Sequence, residues 1–172
     1  MATDVVRREL HNGRVGSFGL EEVTLPNGVH ATLEILRHPG AAAIVPLHDD
    51  GTVTLLRQHR HAVGATIWEI PAGKLEPGED PAACAARELV EEAGLRAGSV
   101  THLTTIYTTP AFTDEVIHLY VGRQLTAVPA APDADEVLQP VRMPLAEAIA
   151  LVRGGAIPDA KTICALLWVA SG

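Results

Sequence analysis

The sequence predicts an α/β domain, and three observations carry that expectation. Strand-like alternation lies on both sides of one well-capped helix, two further helical stretches close the chain, and the composition suits one buried core. The chain has 172 residues, enough for one domain with a sizeable interior. Hydrophobic residues make up 47% and charged residues 20%, the balance of a globular protein. Aromatics are only 3%, so the core must be aliphatic and rich in alanine.

In chain order, residues 1–15 are polar and mixed in charge, a lead-in segment that is frayed or a short strand. In the region 16–40, Ser17 to Leu25 and Val29 to Leu36 alternate apolar with polar around Pro26-Asn27-Gly28, which is a β-hairpin signal. From 41 onward the chain reads as one continuous domain to residue 172, with no internal repeat. Ala41 to Leu47 is an apolar strand, His48 to Gly51 a turn, and Thr52 to Gln58 the returning strand. Gln58-His59-Arg60-His61 is expected to leave the sheet, and Trp68 to Ala72 to form one short strand. Glu76-Pro77-Gly78 has turn chemistry. Asp80 is a good N-cap, Pro81 suits the first helical position, and Gly94 suits the left-handed residue beyond the end. The helix therefore spans Pro81 to Ala93. Strands follow at Val100 to Tyr107, Val116 to Val121 and Val137 to Val141, with an exposed loop over Pro129 to Asp135. Leu145 to Val152 and Ala160 to Val169 read as helices, the last with Ile163, Leu166, Leu167 and Ala170 as its inward stripe.

The chemistry concentrates on the first helix. Glu88 and Glu92 are four apart, so their carboxylates share one face; Glu91 borders it, and Arg87 precedes Glu91 by one turn. Leu89, Val90, Ala86 and Ala93 are expected to cover the other, inward side. Three clustered carboxylates repel one another unless positive charge sits among them. Arg87 offsets part of that charge, and a hard divalent cation with oxygen ligands, Mg²⁺ or Mn²⁺, is the natural remainder. The competing reading is a solvated acidic face carrying an Arg–Glu pair.

Elsewhere the signals are weaker. His59 and His61 would point the same way on extended chain but lack a third ligand of suitable spacing, so they read as surface groups. Arg60 is either an ordinary surface arginine or a guanidinium placed to grip a diphosphate in bidentate fashion. Glu69 is either a substrate group or a charge at a strand edge. The net charge of −8 argues against a nucleic-acid surface. Cys84 and Cys164 both read as small buried residues, a disulfide between them being the minority reading. No signal peptide opens the sequence and no apolar run reaches membrane-spanning length, so the expected location is cytoplasmic, with no membrane partner.

Gly73, five residues, Glu79, seven residues, then Arg87-Glu88-Leu89-Val90-Glu91-Glu92-Ala93-Gly94-Leu95 resembles an unbroken Nudix box. The resemblance implies an α/β/α sandwich with a mixed sheet, to which the N-terminal hairpin is an addition that would exchange with a second subunit in a homodimer. Pro110 within Thr109-Pro110-Ala111-Phe112-Thr113-Asp114-Glu115 is similar to the marker of the ADP-ribose pyrophosphatase branch, with Ala111 where the branch prefers glycine. Trp68 to Gly73 and Ile157 to Thr162 are similar to that branch as well. The branch hydrolyses ADP-ribose to AMP and ribose 5-phosphate. The resemblance implies that Glu88 and Glu92 bind metal with the Ala72 carbonyl, that Glu91 is a ligand or close support, and that Arg87 and Glu79 hold the carboxylates. Arg60 would contact the diphosphate, and Glu115 would reach the ribose or adenosine side. Glu136 would be the general base, with Asp133 and Asp135 as competitors. The alternatives are another nucleoside diphosphate derivative, such as GDP-mannose, a dinucleoside polyphosphate or a nucleoside triphosphate, and a non-catalytic nucleotide-sugar sensor.

Overall fold

The computed structural model describes residues 5–131 and 137–172. Two compact units divide the chain. One gathers residues up to 40 with 107–116, and the other holds 41–106 with 117–172.

The first unit is built on a three-stranded antiparallel sheet of β1 (Val6–Asn12), β2 (Ser17–Thr24) and β3 (His30–Arg37), in that order. The hairpin turn falls at Pro26-Asn27-Gly28, where Gly28 takes φ 83°, a value that only glycine adopts cheaply. Glu21 on β2 is only 4% exposed, and it survives burial because Arg7 and Arg37 both hydrogen-bond its carboxylate. The hydrogen bonds from Arg37, followed by those from Arg7, hold the Glu21 carboxyl below its usual range against the opposing effect of burial.

The second unit is organised around β4 (Ala41–Pro46), every residue of which is buried. β4 pairs antiparallel with β7 (Ala72–Lys74) and parallel with β9 (Val116–Ala127), and β8 (Leu95–Tyr107) lies beyond β9. This four-stranded sheet is therefore mixed. The period of two along β4 sorts its side chains onto two faces. Ala42 and Ile44 meet Cys84, Ala85 and Leu89 of α1 (Pro81–Ala93). Ala41, Ala43 and Val45 meet Ala148 and Ile149 of α2 (Leu145–Arg153) and Ala165 and Leu166 of α3 (Ala160–Ser171). Helices thus cover both faces of β4, which explains why its sequence is continuously apolar instead of alternating. A second sheet runs in the order β10 (Leu138–Pro144), β5 (Thr52–Arg60) and β6 (Ala65–Glu69), all antiparallel. Val53 and Leu55 of β5 join the core on the side of α2 and α3. The expected α/β/α arrangement with a mixed sheet is the one observed.

Several local expectations are corrected. Trp68 to Ala72 is not one strand: β6 ends at Glu69 and β7 begins at Ala72 in the other sheet. Pro71 has no N–H for a ladder, and its carbonyl accepts from Ile44 N at 2.9 Å as the chain crosses over. Gln58-His59-Arg60 does not leave the sheet at once, because His59 and Arg60 pair with Thr66 and Ala65. β8 begins at Leu95 instead of Val100, and β10 continues to Pro144. The inward residues of α3 are Thr162, Ala165 and Leu166, whereas Leu167 is 42% exposed. Cys164 is exposed, not buried, and both cysteines are free thiols. With alanine, leucine or isoleucine on most sides of α3, periodicity alone does not identify the face that packs.

Candidate active site

The loop and helix at residues 73–94 form by local rules. Asp80 Oδ1 accepts from Ala82 N at 2.9 Å and Ala83 N at 3.2 Å, satisfying two of the orphan amides of the first turn. Pro81 occupies the first turn, and Gly94 closes the helix at φ 62° with its N–H on the carbonyls of Leu89 and Val90.

What the sequence does not reveal is which way this helix turns. Its buried residues are Cys84, Ala85, Glu88, Leu89 and Glu92, so two carboxylates lie on the inward face; Val90, Ala86 and Ala93 are only half-buried. Glu88 is 8% exposed and Glu92 2%. A buried, unpaired carboxylate costs several kcal/mol, so each must be met by a donor. Arg87 Nη1 donates to Glu88 Oε1 at 2.6 Å and to Glu91 Oε2 at 2.9 Å. Glu92 Oε2 accepts from Ala72 N at 2.8 Å. Arg87 also grips Glu79 through Nε and Nη2 at 3.0 and 3.1 Å, and it reaches the Lys74 carbonyl at 3.3 Å. One guanidinium thus gathers three carboxylates. Its hydrogen bonds to Glu79, followed by the Glu76 N–H, hold the Glu79 carboxyl at about 2. The same contacts, those to Glu79 foremost, raise Arg87 above its already high value.

β7 is pressed against this helix. Gly73 pairs with Ala42 on β4, on the face towards α1. A Cβ at Gly73 would stand 1.7 Å from Glu88 Oε1 and 2.1 Å from Glu88 Cδ, so only glycine admits the Glu88 carboxylate there. The Cys84 thiol points at the carbonyls of Gly73 and Lys74, 3.6 and 3.5 Å away. Burial pushes this thiol up to about 12, which keeps it protonated and unreactive.

A second charged group stands at the entrance to β7. Arg60 donates Nε and Nη2 to the two oxygens of Glu69 at 2.7 and 2.9 Å. Glu69 is 1% exposed, and Lys161 Nζ reaches the same carboxylate. Burial pushes Glu69 up, but the Arg60 and Lys161 contacts outweigh it, and the net shift is downward. Arg60 is raised by its hydrogen bonds to Glu69, with the charges of Glu69, Glu92 and Asp159 behind them, so it lies within electrostatic reach of the box carboxylates. Glu69 is therefore an interior charge rather than one at a strand edge.

The structure brings Ala72, Glu88, Glu91, Glu92, Arg60 and Glu69 together in one unit. Pro110 and Glu115 belong to the other, where Glu115 Oε2 accepts from Thr108 Oγ1 at 2.7 Å and His38 Nε2 is 3.6 Å from Oε1. Glu136, Asp135 and Asp133 lie outside the described residues. The chain on either side of them is anchored at this site: Ala131 N donates to the Glu91 carbonyl at 3.1 Å, and the Val137 carbonyl accepts from His59 N at 3.0 Å. Sequence reasoning placed Asp159 near the start of α3 but missed the role of Lys161 and the link from Thr162 to Ile70. Asp159 Oδ2 accepts from Thr162 N at 3.0 Å and Thr162 Oγ1 at 2.6 Å, and Thr162 Oγ1 in turn accepts from Ile70 N at 2.9 Å. The signals were the Asp-Ala-Lys-Thr run at a helix start and the likeness of Ile157 to Thr162 to the branch, neither of which assigned Lys161 a role.

Among the described residues, no three His, Cys, Asp or Glu side chains already stand as a cage for a metal ion. Arg87 and the Ala72 N–H occupy these carboxylates, whose oxygen chemistry suits a hard cation, with Gly73 leaving room for Glu88.

Comparisons with known proteins agree with this geometry. The NUDIX domain family model matches residues 36–166. An ADP-ribose pyrophosphatase of Bacillus subtilis is 37% identical over 96% of this chain and 90% of its own length. A methanol dehydrogenase activator of Bacillus methanolicus is 38% identical over 94% of this chain and 88% of its own length. The crystal structure of an ADP compounds hydrolase superposes with a TM-score of 0.83, covering 99% of this chain and 92% of that one at 24% identity, which shows a shared fold. With the family match spanning most of its length and the buried carboxylates of the box in place, the chain belongs to the NUDIX domain family and is a Nudix hydrolase.

Proposed function

We propose that the protein hydrolyses the diphosphate of ADP-ribose, or of a related ADP-sugar, to AMP and ribose 5-phosphate, using Mg²⁺ or Mn²⁺. The observation that carries this reading is the inward placement of Glu88 and Glu92 on α1. A helix that buries two carboxylates beside a third forgoes apolar packing there, a cost that a metal-binding role at the site accounts for. The B. subtilis relative, named for ADP-ribose, supports the substrate.

Hydrolases of this family generally use divalent metal ions. Glu88, Glu91, Glu92 and the Ala72 carbonyl would hold the metal, which supplies charge neutralisation of the diphosphate and a more acidic bound water. Arg87 and Glu79 keep the carboxylates in register. Arg60 binds the diphosphate, with Glu69 orienting its guanidinium. Glu136, with Asp135 and Asp133 as competitors, takes the proton from the attacking water. A base at that position is supported by the two anchors flanking it, Ala131 on Glu91 and Val137 on His59. Proton abstraction of this kind contributes about 10²–10⁴ in rate. Pro110 shapes the substrate loop, and Glu115 contacts the ribose or adenosine side.

The protein acts as a cytoplasmic homodimer, with residues 16–40 as the subunit contact and 41–172 as the catalytic domain, the residues before 16 being a lead-in. No helix of the described residues is long and apolar enough to cross a membrane. Mass measurement in solution tests the dimer. Product analysis tests the activity: ADP-ribose, GDP-mannose, a dinucleoside tetraphosphate and dGTP are offered side by side with Mg²⁺. AMP and ribose 5-phosphate formed fastest from ADP-ribose, and lost on chelation, is the expected result. Faster cleavage of another substrate would discard the substrate and keep the metal chemistry. Tight binding without cleavage would point to a sensor.

A further inference from the structure

The charges at the head of α3 form an alternating row: Asp159, Lys161, Glu69, Arg60. Side-chain exposure falls from 12% at Lys161 to 2% at Glu69 and rises to 42% at Arg60, the member of the row most open to solvent. Two cations, Arg60 and Lys161, meet the buried Glu69, and with Asp159 on the far side of Lys161 the row balances in charge. Asp159 shares Lys161 with Glu69: its Oδ1 accepts from Lys161 Nζ at 3.0 Å, while its Oδ2 caps α3 by accepting from Thr162 N and Oγ1, where the helix N-terminus favours a negative charge. Arg60 gives Nε and Nη2 to Glu69, while its Nη1 makes no hydrogen bond among the described residues.

We propose that Lys161 is a positioning residue for the substrate diphosphate: by sharing the negative charge of Glu69, it leaves the half-exposed guanidinium of Arg60 less fully neutralised than a lone Arg60–Glu69 pair would. This inference rests on the ADP-ribose reading above. Without Lys161, the whole of Glu69's charge falls on Arg60, which stays in place but attracts an anion less well. The effect is on ground-state and transition-state binding alike, so it enters KM more than kcat.

Three variants separate charge from architecture. Lys161→Gln keeps an N–H donor for Glu69 but loses the charge, Lys161→Arg keeps the charge, and Lys161→Met loses both. Loss of a unit charge one ion pair removed from the anion-binding guanidinium, at a partly screened site, predicts a KM for ADP-ribose about fivefold to tenfold higher in Lys161→Gln. Its kcat should stay within about twofold of wild type, with Lys161→Arg restoring KM. Lys161→Met should raise KM at least as much, and it serves as the reading should Lys161→Gln not fold. A wild-type KM in a folded Lys161→Gln, or a fall in kcat with KM unchanged, would overturn the proposal. Calorimetry with inorganic pyrophosphate repeats the comparison without turnover. If wild-type protein leaves ADP-ribose intact, the substrate reading fails alone. Pyrophosphate binding that weakens in Lys161→Gln and returns in Lys161→Arg still supports the charge inference, and equal binding by all variants overturns it.

Discussion

Replacing Gly73 with alanine tests the coupling between β7 and the box helix at its tightest point. The added methyl would sit 1.7 Å from Glu88 Oε1, against the 3.4 Å at which ordinary contact begins, so the carboxylate must retreat by about that difference. Glu88 is the side that yields, because its carboxylate ends a flexible side chain whereas Gly73 is pinned between Ala42 and α1. Retreat breaks the 2.6 Å contact with Arg87 and moves a proposed metal ligand off position. Overpacking of this kind costs roughly 1–3 kcal/mol of stability. A displacement near 1 Å at a reacting centre costs on the order of 10²-fold in rate, so kcat should fall by at least that factor. The assay is AMP release from ADP-ribose under saturating Mg²⁺, with a thermal melt of the same sample. A folded Gly73→Ala protein that retains wild-type kcat would refute the argument that Glu88's position matters to turnover.

Other perturbations read other parts of the site. Glu92→Gln keeps an oxygen to accept from Ala72 N while losing the charge, so it should abolish most turnover with little change in melting temperature; near-normal activity would remove Glu92 from the metal set. Glu79 is held at about 2 in the folded protein against an ordinary 4.5, so its contribution to stability is present above about pH 4.5 and is lost as pH falls towards 2. Urea unfolding at pH 5 and pH 3 should show a smaller loss of stability in Glu79→Gln than in wild type, and equal losses would show that Arg87 does not lower the Glu79 carboxyl. Chelation should abolish cleavage and excess Mg²⁺ restore it, followed by product release; activity that survives exhaustive chelation would discard the metal reading.

What was legible in the sequence was local. Asp80, Pro81 and Gly94 bracket the helix at the residues where it begins and ends, because caps act within one turn. The hairpin at Asn27-Gly28 and the unbroken apolar run of β4 were equally plain. The orientation of α1 was not, because its alanines spread round the helix and leave no single apolar stripe, and the inward face is chosen by β4 and β7, neighbours supplied by the preceding chain. The same holds for Glu69. Its burial depends on Lys161, which is 92 residues away, and no pattern around Trp68 announces a partner at that distance. The break at Pro71 was legible in principle from the missing donor, but the apolar run through Ile70 masked it.

The contrast between the two thiols has a practical consequence. Cys84 is buried and pushed up to about 12, whereas Cys164 is exposed on α3, one turn past Lys161. A maleimide dye applied to the native protein should therefore attach at one place without any engineered cysteine. That place rides on the helix whose first turn carries Asp159, Lys161 and Thr162, so its fluorescence can follow ligand arrival in real time. Quantitation after denaturation should find the second thiol still unmodified.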